Sequence, residues 1–397
     1  MLNTKFSPWP SFTQEEADKV SEVLLSNKVN YWTGQEGREF EKEFSTFTDC
    51  EYAIALGNGT LALDIALVAL GIGARNGGSD TDEVIVTSRT FLASASSIVT
   101  AGARPVFADV DANSQNITAD TVNDVLTENT KAIIAVHLVG LPCEMDELMA
   151  IADVHNLKVI EDCAQAHGAK YKGKSVGSIG HVGCWSFCQD KIMTTGGEGG
   201  MVTTNDELLW RMMWSYKDHG KSYARVYEKS HPQGFRWLHE SFGTNWRLTE
   251  MQSAVGRIQI RRMPGWFALR SNYADMIASA CSEFSCIRVP TVPEYMEHAN
   301  YKYYVFVRPE LLGSGWDRDR IVSEINALGV PCMQGSCSEV YLEKAFDNTG
   351  FRPEVRLPVA RELGDTSLMF LVHPTLTESE MEKTILTIKE VFSKAQF

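Results

Sequence analysis

The chain has 397 residues, 37 basic against 51 acidic side chains, a net charge of −14, and 44% apolar and 22% charged residues. That is the composition of an ordinary soluble protein, long enough for two or three domains around a substantial core. The acidic balance argues against a nucleic-acid backbone or an anionic membrane as main partner, and no apolar run approaches the roughly 20 residues of a membrane helix. The opening MLNTKFSPWPSFTQEEADKV has no basic stretch followed by an apolar one, so a cytoplasmic protein without a signal peptide is expected.

Residues 13–27 predict an amphipathic helix capped by Thr13, with Glu16 three residues on, and residues 36–48 repeat the pattern. From Glu51 short β-branched runs take over, predicting strands at 52–55, 83–87, 105–109, 132–136, 158–161, 183–187 and 200–203. Between the central runs lie helical segments at 92–101, 119–126 and 145–155. This alternation predicts an α/β fold, a large domain over residues 1–262 whose mostly parallel, doubly wound sheet is covered on both faces. The polar run Arg75–Asp82 reads as an exposed loop. Residues 206–262 read as helical around a polar, aromatic stretch at 223–246, and Pro264 marks a break. The remainder, 263–397, holds strand-like runs at 302–308 and 368–373 and helices at 317–328 and 378–392, a smaller C-terminal α+β domain. The nine cysteines (50, 143, 163, 184, 188, 281, 286, 332, 337) read as reduced, mostly buried thiols. The pairs 281/286 and 332/337 lack the histidines or repeated spacing of a metal site, and none is expected.

Chemistry concentrates in the segment Cys184–Gly200, CWSFCQDKIMTTGGEGG. Its single Lys191 follows a strand end, where open α/β sheets bind ligands, and lysine is the side chain that forms a Schiff base with an aldehyde cofactor. Taken singly, such a lysine is a solvated loop residue. Its companions change that reading. The strand at 158–161 runs into Glu161-Asp162. Two neighbours on a strand point to opposite faces, and Asp162, nearer the end, is the acid expected to hold a pyridine nitrogen protonated. Gly57-Asn58-Gly59-Thr60 opens a helical run and offers free N–H groups and a positive dipole end to a phosphate. Phe91, after another strand, offers a ring to stack on a heterocycle.

Together these residues resemble the DegT/StrS-type sugar aminotransferases, pyridoxal-phosphate (PLP) enzymes of fold type I with an aspartate-aminotransferase-like large domain. The likeness spans nearly the whole chain. It includes Tyr31-Trp32-Thr33-Gly34, Gly59-Thr60-x-Ala62-Leu63, Thr90-Phe91, Val136-His137-Leu138, Glu161-Asp162-x-Ala164-Gln165, Ser186-Phe187-x-x-x-Lys191, Gly243-x-Asn245-x-Arg247 and His373-Pro374. The resemblance implies that Lys191 carries PLP and moves the substrate proton, that Asp162 pairs with the ring nitrogen, and that Gln165 reaches the ring hydroxyl. It further implies Phe91 on the ring face, Gly59, Thr60 and Ser186 at the phosphate, and Asn245 reaching that phosphate from the neighbouring subunit of a homodimer. Two departures stand out: TTGGEGG carries one glycine more than the usual tract, and the loop at 75–82 is long.

The activity implied is transfer of an amino group from glutamate to a nucleotide-linked keto-deoxysugar, for a lipopolysaccharide or related glycan. Thr194-Thr195-Gly196 with Glu198-Gly199-Gly200 resembles enzymes acting at sugar C4 rather than C3. Lys217, His219, Lys221, Arg225, Lys229 and Arg236 are candidate donors to the nucleotide. Two alternatives remain. A keto-sugar dehydratase of this family carries histidine at the position of Lys191. A non-catalytic regulator would have lost the lysine, the aspartate or the phosphate residues.

Overall fold

The computed structural model describes residues 5–230, 234 and 236–397; residues 231–233 and 235 of the expected polar, aromatic stretch lie outside them. Two helices lead in. In α1 (Gln14–Leu25) Thr13 and Glu16 form the expected capping box, and α2 (Glu36–Phe47) buries Phe40 and Phe44.

The large sheet then builds from β1 (Tyr52–Leu56), β2 (Glu83–Thr87), β3 (Arg104–Ala108), β4 (Thr130–Val136), β5 (Lys158–Asp162), β6 (Val182–Ser186) and β7 (Gly200–Thr204). Their spatial order is β1-β7-β6-β5-β4-β2-β3. Only β7 runs against the others. Between strands the chain forms α3 (Gly59–Ala69), α4 (Leu92–Thr100), the short α5 (Ala119–Asn123) and α6 (Met145–His155), followed after the sheet by α7 (Glu207–Lys217). The strands are β-branched and apolar on both sides because both faces are covered. Val84, Val86, Ile134, Ile160 and Val202 pack beneath α3, α4 and α7. The alternate residues Ile85, Ile133 and Val159 meet Met145 and Leu148 of α6, while Trp185 and Met201 meet Phe40 and Phe44 of α2. All these side chains are removed from water, at roughly 1.5–3 kcal/mol each.

The expected break at Pro264 does not occur. Residues Glu250–Ser282 form one 33-residue helix, α8, with Pro264 inside it. Proline removes one helical hydrogen bond, and this helix is held across that defect from both sides. Before it, Arg257 pairs with Glu36 (2.6 Å) and Glu43 (2.7 Å), and Arg262 pairs with Glu16 (2.6 Å). After it, Tyr273, Ile277 and Cys281 enter a second apolar core. That core lies under a small antiparallel sheet of β8 (Ile287–Arg288), β9 (Tyr303–Val307), β10 (Cys332–Met333) and β11 (Ser367–Phe370), ordered β8-β9-β11-β10. Helices α9 (Arg318–Ala327) and α11 (Glu378–Ala395) line it; α10 (Pro358–Thr366) was not expected from the sequence and is anchored by Asp109, whose carboxylate accepts the Val359 and Ala360 N–H groups. The loop 75–82 is not wholly exposed, for the buried Asp82 accepts the N–H groups of Gly73 (2.9 Å) and Ser79 (3.0 Å). Among the described residues no helix is long and apolar enough to cross a membrane. All nine cysteines are unpaired.

Glu161 is the buried electrostatic knot of the large sheet. Its carboxylate meets His137 Nε2 (2.9 Å) and accepts N–H bonds from Gly177 (2.8 Å), Ile179 (2.9 Å) and Gly180 (2.6 Å). Burial opposes its ionisation, yet His137 and these N–H groups together hold the carboxyl below its usual 4.5. Its folded pKa being depressed, Glu161 adds stability above pH 4.5 that is lost as pH falls through the lower folded value. Glu161→Gln should therefore cost about 2–3 kcal/mol at neutral pH and flatten the acid limb of stability. Urea melts of both proteins between neutral and acid pH test this; parallel acid limbs would contradict it.

Candidate active site

The ladder registers bring one end of five strands abreast. Leu56 pairs with Gly200, Gly200 with Ser186, Cys184 with Asp162, and Asp162 with Val136. The chain leaving β1 must then pass close to β6. A Cβ on Gly59 would stand 2.6 Å from Ser186 Cβ, and one on Gly200 would stand 2.3 Å from the Asn58 carbonyl oxygen, so both approaches need glycine.

A cavity of about 610 Å³ opens at this edge, lined among others by Gly59, Thr60, Phe91, Asp162, Gln165, Ser186 and Lys191. Asn58 caps α3 by accepting the Leu61 N–H (2.9 Å). The N–H groups of Gly59 and Thr60, in the first helical turn, make no hydrogen bond with any described residue. Asp162 Oδ2 accepts from Ser94 Oγ (2.7 Å), itself bonded to Thr90 Oγ1 (2.9 Å), and Oδ1 accepts the Ala164 N–H (3.1 Å). Gln165 Oε1 accepts the Val139 N–H (2.8 Å), which leaves its amide NH2 for the cavity; Val139 has a φ of 52°, unusual for a β-branched residue. Phe91 is 69% exposed, so it packs no core.

Lys191 sits on the turn after β6. Its N–H donates to the Cys188 carbonyl (3.1 Å) and its own carbonyl accepts the Trp9 indole N–H (2.8 Å). Its ammonium forms no ion pair with a described residue and lies 5.5 Å from the Tyr301 ring centroid. The preceding Asp190 accepts the Tyr301 hydroxyl proton. Burial opposes the Asp190 charge, but Lys191 and that hydrogen bond hold its carboxyl below the usual range.

Seven of the eight residues singled out from the sequence therefore line one cavity. The eighth, Asn245, does not; it is exposed and bridges through its backbone to Asp218. The basic run also needs correction. Lys217 is buried against Glu41 (3.2 Å) and Tyr31, and Lys221 pairs with Asp218 (2.6 Å), so these two are internal braces, not donors to a nucleotide. Sequence reasoning missed Ser94, whose i+4 spacing from Thr90 on the helix start was a usable signal. Trp9 and Tyr301 had none, because only the tertiary fold brings them to Lys191. One group of possible metal ligands, His137, Glu161 and Cys163, lies close together in the core, but the Glu161 oxygens already hold His137 and three N–H groups.

Fold and cavity define an α/β enzyme that works at the carboxyl edge of a doubly covered sheet. The chain belongs to the DegT/DnrJ/EryC1/StrS aminotransferase family, whose pattern matches residues 10–389. It is 35% identical over 392 residues to GDP-perosamine synthase of Caulobacter vibrioides, covering 96% of each chain. It is 32% identical to the UDP-N-acetyl-3-dehydro-alpha-D-glucosamine 3-aminotransferase of Acidithiobacillus ferrooxidans, over 98% of this chain and 96% of that one. The crystal structure of an aminotransferase from Psychrobacter cryohalolentis matches with 65% identity and a TM-score of 0.95, over 98% of this chain and 99% of that one.

The indole bond to the Lys191 carbonyl generates a direct test. Trp9→Phe should lose about 1 kcal/mol of local stability and speed amide exchange in the 188–192 turn about fivefold. Hydrogen-exchange mass spectrometry reads this, and an unchanged rate would show that Trp9 does not hold the turn.

Proposed function

We propose that this enzyme uses PLP to transfer the amino group of glutamate to a nucleotide-linked keto-deoxysugar, at C4 in preference to C3, supplying an amino sugar for a surface polysaccharide or related glycan. The observation carrying this reading is the convergence of Lys191, Asp162, Ser186 and the α3 N-terminus on one cavity at one sheet edge. The donor set fits the cofactor. Gly59 and Thr60 bring unpaired N–H groups and the positive end of α3, and Ser186 adds a hydroxyl, as a phosphate requires. Asp162, steadied by Ser94, presents a carboxylate for the ring nitrogen, Gln165 an amide for the ring hydroxyl, and Phe91 an uncommitted aromatic face.

Bound PLP supplies an aldehyde that condenses with primary amines and a ring that takes up electron density. The remaining work belongs to the chain. Lys191 would hold the cofactor through Nζ, and the same amine is placed to take a proton from, or return one to, the substrate carbon. Asp162 would keep the ring nitrogen protonated. Preference for C4 rests on the likeness of the Thr194–Gly200 tract, and position 3, which the name of one relative carries, is the alternative. Asn245 is proposed to reach the phosphate of the neighbouring subunit in a homodimer, which its exposed position allows. Lysine at 191 favours an aminotransferase over a dehydratase.

The purified holoenzyme should show a visible absorption band that fades with glutamate, and then turn over a 4-keto nucleotide sugar faster than its 3-keto isomer. A band indifferent to every amino acid would reject amino transfer. Lys191→Ala should lower turnover at least about 10³-fold, and Asp162→Asn about 10²-fold or more, with the fold intact by circular dichroism. Near-wild-type rates would remove those residues from their roles.

A further inference from the structure

A second cavity of about 610 Å³ adjoins the first; it shares Asp190 and Lys191 with it and continues past Tyr301 and Lys302 toward Glu343. Lys302 is the unclaimed charge in its wall. It is half-buried, its Nζ lies 5.1 Å from the Tyr301 ring centroid, and it makes no hydrogen bond or ion pair with any described residue. Its backbone is fixed from behind, because the buried guanidinium of Arg270 donates to the carbonyls of Asn300 (3.3 Å) and Tyr301 (3.2 Å). Lys191 and Lys302 both act on one carboxylate, Asp190, which is already bonded to Tyr301, and the buried Arg270 adds its charge behind Lys302. Glu343 lines the same cavity, beside Cys337. Two lysines and two carboxylates thus line this cavity, one carboxylate already engaged by Tyr301, and a half-buried ammonium with no hydrogen-bonded protein partner is stabilised by an anion that the protein does not itself provide.

The two lysines touch the same ring, at 5.5 Å and 5.1 Å from its centroid. Both line one cavity, so an anion on Lys302 shares that chamber with a nitrogen presented at Lys191. A dicarboxylic amino acid carries its amino group and both carboxylates on one short flexible chain, whereas a nucleotide-linked sugar puts the width of its ring between diphosphate and reacting carbon. We propose that Lys302 receives a carboxylate of the amino donor and holds the donor while its nitrogen is presented at Lys191. This rests on the aminotransferase reading above and names the donor's anchor within it. Burial, and then Arg270, push the Lys302 pKa down to about 8, with Asp190 opposing, so the ammonium remains mostly charged at neutral pH.

The test uses holoenzyme and glutarate, a dicarboxylate that lacks the reactive amine, with uridine diphosphate as control. Calorimetry should find glutarate bound by the wild type, at least about tenfold weaker binding by Lys302→Gln, and recovery to within about threefold by Lys302→Arg. Uridine diphosphate affinity should be the same in all three. The KM for glutamate should rise in Lys302→Gln while the KM for the keto-sugar stays put. Absent glutarate binding by the wild type, an unaltered affinity in Lys302→Gln, or weakening of the diphosphate instead would each overturn the assignment. Failure of the aminotransferase reading itself shows separately, as a wild-type visible band that no amino acid alters.

Discussion

Everything at the candidate site depends on how closely the β1–α3 turn passes β6. That approach is governed by two contacts with no room for a methyl group, Gly59 against Ser186 and Gly200 against the Asn58 carbonyl. Because β7 lies between β1 and β6 with Gly200 opposite both Leu56 and Ser186, the strand ladders themselves set the distance from the α3 N-terminus to the Ser186 hydroxyl. The same ladders carry Asp162 and Val136 to that edge. Main-chain hydrogen bonding, rigid and repeated, thus fixes the spacing of groups that would otherwise hang on flexible side chains.

Adjacent acids in β5 show how one strand serves two purposes. Alternation sends Glu161 into the layer beneath, where N–H groups and His137 consume its charge in holding the fold. It sends Asp162 to the other face and into the open cavity, with one oxygen steadied by Ser94 and the other by the Ala164 N–H. Neither could exchange places with the other. The buried position has donors enough to neutralise a carboxylate, whereas the cavity position leaves its acid able to take a further partner.

Much of this was legible in the sequence. The seven strands of the large sheet lie within a residue or two of where β-branched runs placed them, because strands buried on both faces have a strong local signature. Seven site residues converge because each ends or follows a strand or opens a helix, and a parallel sheet collects such positions on one edge. What escaped was set by distant partners. Pro264 has the local chemistry of a helix break, and only the ion pairs from α1 and α2 and the second core carry α8 across it. Lys217 and Lys221 read as candidate donors to a nucleotide until the fold brings Glu41 onto Lys217 and turns Lys221 back onto Asp218. Trp9 reaches Lys191 across 182 positions of chain, a separation with no periodic trace.

The continuity of α8 bears on how substrate arrives. One rod is bonded to α1 and α2 at its first half and to the small-sheet core at its second, and Arg270 on it holds the strand entry that carries Tyr301 and Lys302. Swinging the small sheet away from the large one would bend this rod and strip packed side chains from both ends. The two cavities therefore keep a nearly constant gauge, and the exposed Phe91 ring forms part of the wall of both.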